Sequence, residues 1–247
     1  MKNHSPAWCR GCLGRSLLPV GHKDGFDLLR CTDCKTVVVG RYPDDDALAA
    51  FYKSYFMTDN YESKKDSKIR RGLGRVKHMM RAMPPGKKFL DVGCSIGCVV
   101  EAAQRQGLSA TGIDLDPDAI DAAKKRIGAA CAFEAAPIQA LAARGEKFDM
   151  VYISEVVEHV NAPEEFIAAV ATVMNPGAIL YLTAPDGGHF LVPKNFSSWK
   201  MVTPPNHLTW FTRDGIIRLL SRHGLRAEKF QFAFKPGLKV FARKVSS

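Results

Sequence analysis

Residues 88–97 read Lys88-Phe89-Leu90-Asp91-Val92-Gly93-Cys94-Ser95-Ile96-Gly97, and this stretch decides the fold. An apolar strand runs into a glycine-containing turn, and a helix-like segment, Cys98 to Gln106, follows. That order predicts the first strand–loop–helix of a Rossmann-like α/β sheet. Gly93 and Gly97 let a ligand approach the backbone closely. A second strand, Ser109 to Ile113, ends in Asp114, 23 residues beyond Asp91. An acid about 20 residues on is placed to accept hydrogen bonds from ribose hydroxyls. The loop reads D-x-G-x-x-x-G, and not the G-x-G-x-x-G of a dinucleotide site. Asp91 at the strand end favours a cationic ligand group over the pyrophosphate that a helix N-terminus would take.

These residues resemble the class I S-adenosylmethionine-dependent methyltransferases over roughly residues 85–247. The resemblance implies a mostly parallel sheet with an antiparallel last strand. It implies cofactor contacts at Asp91, Gly93, Cys94, Ser95, Gly97, Asp114 and Leu115, with Ala136 and Ile138 flanking the adenine and Ser154 at the end of the fourth strand. Where that family usually has a glycine in mid-loop, this chain has Ser95. Further landmarks keep the family order: a third-strand region over Phe133–Leu141, a fourth strand over Lys147–Ile153, and Asn175-Pro176-Gly177 before a fifth strand over Ala178–Thr183. An amphipathic helix over Arg213–His223 is capped by Gly224, and 225–234 with 238–243 form a closing antiparallel pair.

Ahead of this core, Cys9-Arg10-Gly11-Cys12 and Cys31-Thr32-Asp33-Cys34 form two C-x2-C knuckles with 18 residues between them. The spacing fits a structural zinc ribbon over residues 1–40, with all four ligand positions filled by thiolates. So small a segment needs the metal's binding energy to fold. A helical arm over 41–84 comes next. It comprises a helix from Ala47 to Phe56, a polar loop over 58–68, and a basic helix over Lys68–Ala82 that Pro84-Pro85-Gly86 ends. The ribbon and the Tyr-rich arm together resemble small-molecule methyltransferases of the nucleotide-sugar and quinone type. That resemblance places Tyr52 and Tyr55 over cofactor and substrate.

Methyl transfer to a hydroxyl or carbon acid needs a base within reach of the proton. Two stretches offer one. The fourth strand runs into Glu155-Val156-Val157-Glu158-His159, an E-x-x-E-H whose carboxylates and imidazole share one face of a helical turn. It resembles the metal motif of quinone-biosynthetic and small-RNA 2′-O-methyltransferases and offers a second metal site, oxygen-rich and suited to magnesium. The loop after the fifth strand carries Trp199, expected beside the substrate, and Pro204-Pro205-Asn206-His207. His207 is the expected base or a further metal ligand, with His159 beside it; His189 is the weaker choice. Base N-methylation is disfavoured, because Ser154-Glu155-Val156-Val157 stands where amino-methylating enzymes carry an Asn/Asp-Pro-Pro-aromatic motif.

Composition limits the alternatives. The chain has 247 residues, 46% hydrophobic and 24% charged, which suits a globular enzyme. No apolar run approaches the ~18 residues of a membrane helix, and residues 1–15 lack a signal-peptide core. A reducing cytoplasm is expected, where seven cysteines stay as thiols. The net charge of +10 is uneven. Residues 61–88 carry ten Lys/Arg and two acids, residues 191–247 eleven and two, and residues 89–190 six and fourteen. Such asymmetry points to an anionic small-molecule substrate. The rival readings are an RNA 2′-O-methyltransferase gripping phosphates with the basic segments, and a zinc-ribbon nucleic-acid adaptor with a degenerate fold. Intact Asp91, Gly93, Gly97 and Asp114 argue against degeneracy. The sequence does not fix the oligomeric state.

Overall fold

A computed structural model describes residues 8–43, 48 and 65–245. Tyr52 and Tyr55, and the helix expected over 47–56, lie outside the described residues apart from residue 48. The chain builds two sheets. The larger has seven strands: β4 (Lys88–Val92), β5 (Ser109–Asp114), β6 (Ala132–Ala135), β7 (Phe148–Ser154), β8 (Met174–Ala184), β10 (Leu225–Phe230) and β11 (Leu238–Lys244). Their spatial order is β10-β11-β8-β7-β4-β5-β6. Strands β6, β5, β4, β7 and β8 run parallel, and β11 is antiparallel to both β8 and β10. Strand order reverses between β4 and β7, so the ligand crevice opens there, at the carboxyl ends of the strands.

Among the described residues six helices cover the sheet. On one face lie α1 (Lys65–Arg81), α2 (Cys98–Gln104) and α3 (Pro117–Ile127). Val76, Met79, Val100, Ala103, Ile120 and Ala123 pack there on Phe89, Met150, Tyr152, Ile179, Tyr181 and Phe241. On the other face, α4 (Ile138–Ala143), α5 (Pro163–Val173) and α6 (Arg213–Arg222) pack on Leu90, Val151, Ile153, Leu180 and Leu182. Strands buried on both faces read as continuous apolar runs, as Met150–Ile153 does. Helix α6 starts at an N-cap, Thr212, whose side chain accepts from Gly215 N. The fifth parallel strand begins at Met174, before the Asn175-Pro176-Gly177 turn, and its pairing with β7 jumps between Phe148 and Met150. The turn is thus an irregularity inside β8 and not a break ahead of it.

The smaller sheet holds β1 (Leu17–Lys23), β2 (Phe26–Cys31), β3 (Val37–Val39) and β9 (Thr209–Trp210), in that order. β9 comes from the far end of the chain. Val37 pairs with Trp210 and Val38 with Thr209, so the ribbon's sheet takes its last strand from the segment between β8 and β10. Around it Leu28, Phe196, Trp199, Val202, Leu208 and Trp210 form a separate core. Helix α1, expected in the arm, packs into the main core. Among the described residues no helix is long and apolar enough to cross a membrane.

Candidate active site

The crevice is built from four strand ends. After β4, the chain turns through Gly93 (φ +76°) and Gly97 (φ +77°), both in the left-handed region that favours glycine. A Cβ at Gly93 would sit 2.6 Å from Val156 Cγ2, and one at Gly97 2.8 Å from the Phe133 ring. Ser95 also has φ +49°, a left-handed conformation in which serine carries some strain. The loop is pinned to β5: Gly93 N and Cys94 N both donate to Ile113 O at 2.9 Å. The Cys94 side chain turns into the core, and its thiol is pushed up by burial, so Cys94 meets a ligand only through its backbone.

Asp91 is buried, and no donor reaches its carboxylate among the described residues. Burial, with the nearby Asp114 charge, pushes its pKa up to about 8. A carboxylate so placed calls for a cation. Asp114, at the end of β5, accepts from Ser95 N at 2.7 Å and from Asp116 N at 3.1 Å. Each oxygen keeps a further lone pair for a hydroxyl. Leu115 beside it is exposed, while Ala136 and Ile138 are buried at the end of β6 and the start of α4. Ala136 N is taken by Asp114 O.

Arg75 of α1 was not singled out from the sequence. It donates to the Tyr152 hydroxyl and lies over the Tyr181 ring at 5.6 Å. Tyr152 is the lateral neighbour of both Asp91 and Tyr181, so Arg75 caps the same face of the sheet as Asp91. No carboxylate pairs with it among the described residues. Seven Lys/Arg in α1 hid it, because nothing local marks the one that turns inward.

Beyond β7 the chain turns sharply at Glu155 (φ +57°), a strained conformation for a side-chain-bearing residue and of the kind held at functional sites. Glu155 Oε1 accepts from Thr183 Oγ1 at 2.8 Å, and Thr183 in turn bonds the Ser154 hydroxyl at 2.8 Å. Ser154 thus faces β8. Glu158 is fully buried, and neither of its oxygens has a hydrogen-bond partner among the described residues; Oε1 lies 3.8 Å from His159 Nε2. Burial first, then the Glu155 charge, holds its pKa well above the carboxylate range. Its backbone carbonyl accepts from Leu208 N and Thr209 N, which ties the E-x-x-E-H turn to β9.

His159 and His207 come together here, their rings 4.8 Å apart and edge to face. His159 Nδ1 lies 2.6 Å from Asn206 O and His207 Nδ1 2.7 Å from Met201 O, so each Nδ1 donates and the lone pair falls on Nε2. Burial pulls both imidazoles below their ordinary value, His159 to about 4 with help from His207. Both are neutral at pH 7. Glu158, His159 and His207 offer ligand atoms within 4.8 Å of one another. The expected set of Glu155, Glu158 and His159 is therefore altered. Glu155 is engaged by Thr183, and His207 takes its place.

Two other expectations are redirected by packing. Trp199 is 5% exposed and meets Phe196 edge to face inside the ribbon-side core, not in the crevice. His189 uses both ring nitrogens, toward Leu191 N in its own loop and Ala233 O in the β10–β11 turn.

The four N-terminal cysteines converge as their spacing predicts. Cys9 and Cys34 Sγ are 3.5 Å apart, as are Cys12 and Cys31, far beyond the ~2.05 Å of a disulfide. All four sulfurs lie within 4.8 Å of one another. Cys34 is held down to about 5 by the Cys9 thiol and Thr36, while Cys9 is pushed up. The four thiols cannot all ionise without a cation among them.

Comparisons with known proteins agree with this geometry. A family model described as a methyltransferase domain matches residues 62–229, taking in α1. The ubiquinone biosynthesis O-methyltransferase of Hahella chejuensis is 31% identical over 175 residues, 64% of this chain and 74% of the relative. Its counterpart in Burkholderia pseudomallei is 30% identical over 176 residues, with 64% and 73% covered. Among solved structures, the Burkholderia thailandensis 1,6-didemethyltoxoflavin-N1-methyltransferase, with S-adenosylhomocysteine bound, superposes at TM-score 0.58 and 17% identity over 88% of this chain and 99% of that one. The magnesium protoporphyrin IX methyltransferase of Synechocystis, with S-adenosylmethionine bound, gives TM-score 0.52 at 15% identity over 72% and 78%. The orphaned Asp91 acid and the glycine-lined turn fit the cationic amino acid end of that cofactor. The chain belongs to the methyltransferase-domain family and is a class I S-adenosylmethionine-dependent methyltransferase.

Proposed function

We propose that the enzyme methylates an oxygen, or an acidic carbon, of a small anionic metabolite in a reducing cytoplasm. The observation that carries this reading is the pair of neutral imidazoles, His159 and His207, facing buried Glu158 at the carboxyl edge of the sheet. Such a group removes a proton from the acceptor, a step that hydroxyls and carbon acids need. The relatives named for O-methylation in ubiquinone biosynthesis support the same chemistry.

When bound, S-adenosylmethionine supplies an activated methyl on a sulfonium. Asp91 ionises to hold the cationic α-amino group, and Arg75, on the same face, takes the carboxylate. Asp114 accepts from the ribose hydroxyls while ordering the loop through Ser95 N. His207 holds the acceptor's proton at Nε2, with its ring fixed by Met201 O. His159 is the alternative acceptor for that proton. The walls of the crevice exclude water and align acceptor and methyl in line, which supplies much of the rate.

Two metal assignments complete the reading. Cys9, Cys12, Cys31 and Cys34 hold a structural zinc, four thiolates leaving no open position. As the alternative to an imidazole base, Glu158, His159 and His207 would hold a divalent cation, with each Nε2 then a ligand and not a proton acceptor; the Glu158 oxygens, without a hydrogen-bond partner among the described residues, support this set. With two imidazoles and one carboxylate the donors suit manganese or zinc better than magnesium. Such an ion would lower the pKa of an acceptor hydroxyl in place of the imidazole base.

Isotopically labelled cofactor incubated with fractionated cell extract, followed by mass spectrometry, tests the reading. Label in a low-mass acidic product as an O- or C-methyl group is expected. Label in RNA would overturn it.

A further inference from the structure

Two turns away from the proton-removing groups carry four exposed apolar side chains. Phe190 and Leu191 lie in the loop after β8, at 77% and 50% exposure, and Phe232 and Phe234 in the β10–β11 turn, at 73% and 81%. Isolated exposed apolar residues are unremarkable, but grouped ones mark an interaction surface. These are grouped. His189 donates from Nε2 to Ala233 O at 3.1 Å, which fastens one turn to the other. Leu191 N donates to His189 Nδ1, and the His189 ring stacks on Phe190 at 4.4 Å. Phe232 and Phe234 hold each other edge to face at 6.4 Å. The four side chains therefore project from a braced platform.

The two turns are themselves basic. Residues 187–200 and 231–239 carry Lys194, Lys200, Lys235 and Lys239 and no Asp or Glu. Lys194 and Lys235 are exposed beside the aromatic tips. Arg30 and Lys35 of the ribbon join Lys194 in lining a cleft whose wall includes His189 and Val192, the residues that bracket Phe190 and Leu191. Leu238 pairs with Ala184 at the start of β11, so the aromatic turn stands at the same sheet edge as the methyl-transfer crevice.

We propose that this edge of the molecule docks on an anionic lipid bilayer. The four apolar side chains enter the interfacial layer, and the cleft and its flanking lysines meet headgroup phosphates. Aromatic and aliphatic tips within a basic rim combine the two attractions that peripheral membrane proteins use, apolar burial and attraction to anionic lipid. A protein partner would ask for a shaped, desolvated pocket around an anchor; side chains standing clear at two turn tips suit a soft, flat layer instead. Docking here does not depend on which atom the enzyme methylates.

Co-sedimentation of the full chain with vesicles tests this. Binding to phosphatidylcholine vesicles containing phosphatidylglycerol is expected to exceed binding to phosphatidylcholine alone by about tenfold or more. Phe190→Ser, Leu191→Ser, Phe232→Ser and Phe234→Ser combined should lower it by about tenfold or more at unchanged melting temperature, since these side chains are exposed. Lys194→Glu with Lys235→Glu should remove the preference for phosphatidylglycerol. A wild-type chain that stays in the supernatant overturns the proposal, as does a serine variant that sediments like wild type. So does light scattering that shows a dimer dissolved by the serine changes with no vesicle binding, because the patch then covers a second copy.

Discussion

The ribbon and the crevice both gather buried anionic groups that ask for a cation, yet they are assembled differently. The ribbon's four thiols come from two knuckles, 25 residues from first to last. The crevice draws Arg75, Asp91, Asp114, Glu158 and His207 from five separate elements or loops. A local cluster writes its geometry into spacing; a distributed one writes it into topology. The two are also joined. β3 pairs with β9, and Thr212 Oγ1 donates to Cys34 O. Leu208 and Thr209, held between them, donate to the carbonyl of Glu158. The ribbon therefore braces the turn that carries Glu158 and His159.

The largest expected effect lies in the crevice. His207→Ala should lower turnover by ~10²–10⁴-fold, with cofactor affinity unchanged, if Nε2 takes the proton. Near-normal turnover in a quenched-flow assay would leave alignment as the catalytic account. Cofactor binding should respond next. Asp114→Ala removes the ribose acceptor and frees Ser95 N together, and calorimetry should show a loss of about 1.5–3 kcal/mol. Unchanged affinity would displace Asp114 from the site.

Metal content separates the regions directly. Cys31→Ser should lose the ribbon's zinc, while Glu158→Gln should keep it and lose any second divalent ion, both read by elemental analysis. Zinc lost from both variants alike would merge the two sites. The ribbon–core joint gives the smallest effect. A Cβ at Gly215 would sit 2.1 Å from Thr36 Oγ1. Gly215→Ala should therefore cost about 1–3 kcal/mol, a drop of several degrees in melting temperature. No change would mean that the ribbon rides on the core without bracing it.

Much of this was legible in the sequence, and the rest failed for physical reasons. Asp91, Gly93, Gly97 and Asp114 stand where strand-end geometry puts them, because each is set by its own strand. The four cysteines likewise need only their spacing. What spacing could not show is which side chains turn inward. Trp199 reads as a substrate residue in a polar loop, but the ribbon's own core needed a large apolar residue and took it. Glu155 reads as a metal ligand at i to Glu158's i+3, but a left-handed backbone at Glu155 breaks the helical turn on which that spacing rests. His207 then meets His159 through β9, a two-residue strand with no signature of its own.

The central claim is that a buried acid, Asp91, waits for the cofactor's cation. Its raised pKa sets a sign. The folded protein holds the proton more tightly than the unfolded chain, so cofactor-free stability should fall as pH rises from the ordinary carboxylate range through about 8. Binding a cation reverses that preference. Titration calorimetry of S-adenosylmethionine at pH 7, in buffers of different ionisation heat, measures the proton directly, since the cofactor's α-amino group is already largely charged there. Release of roughly one proton is expected, with affinity rising about tenfold per pH unit below 8, and Asp91→Asn should bind weakly with no release. Full affinity in Asp91→Asn, or binding without proton release in the wild type, would contradict the account.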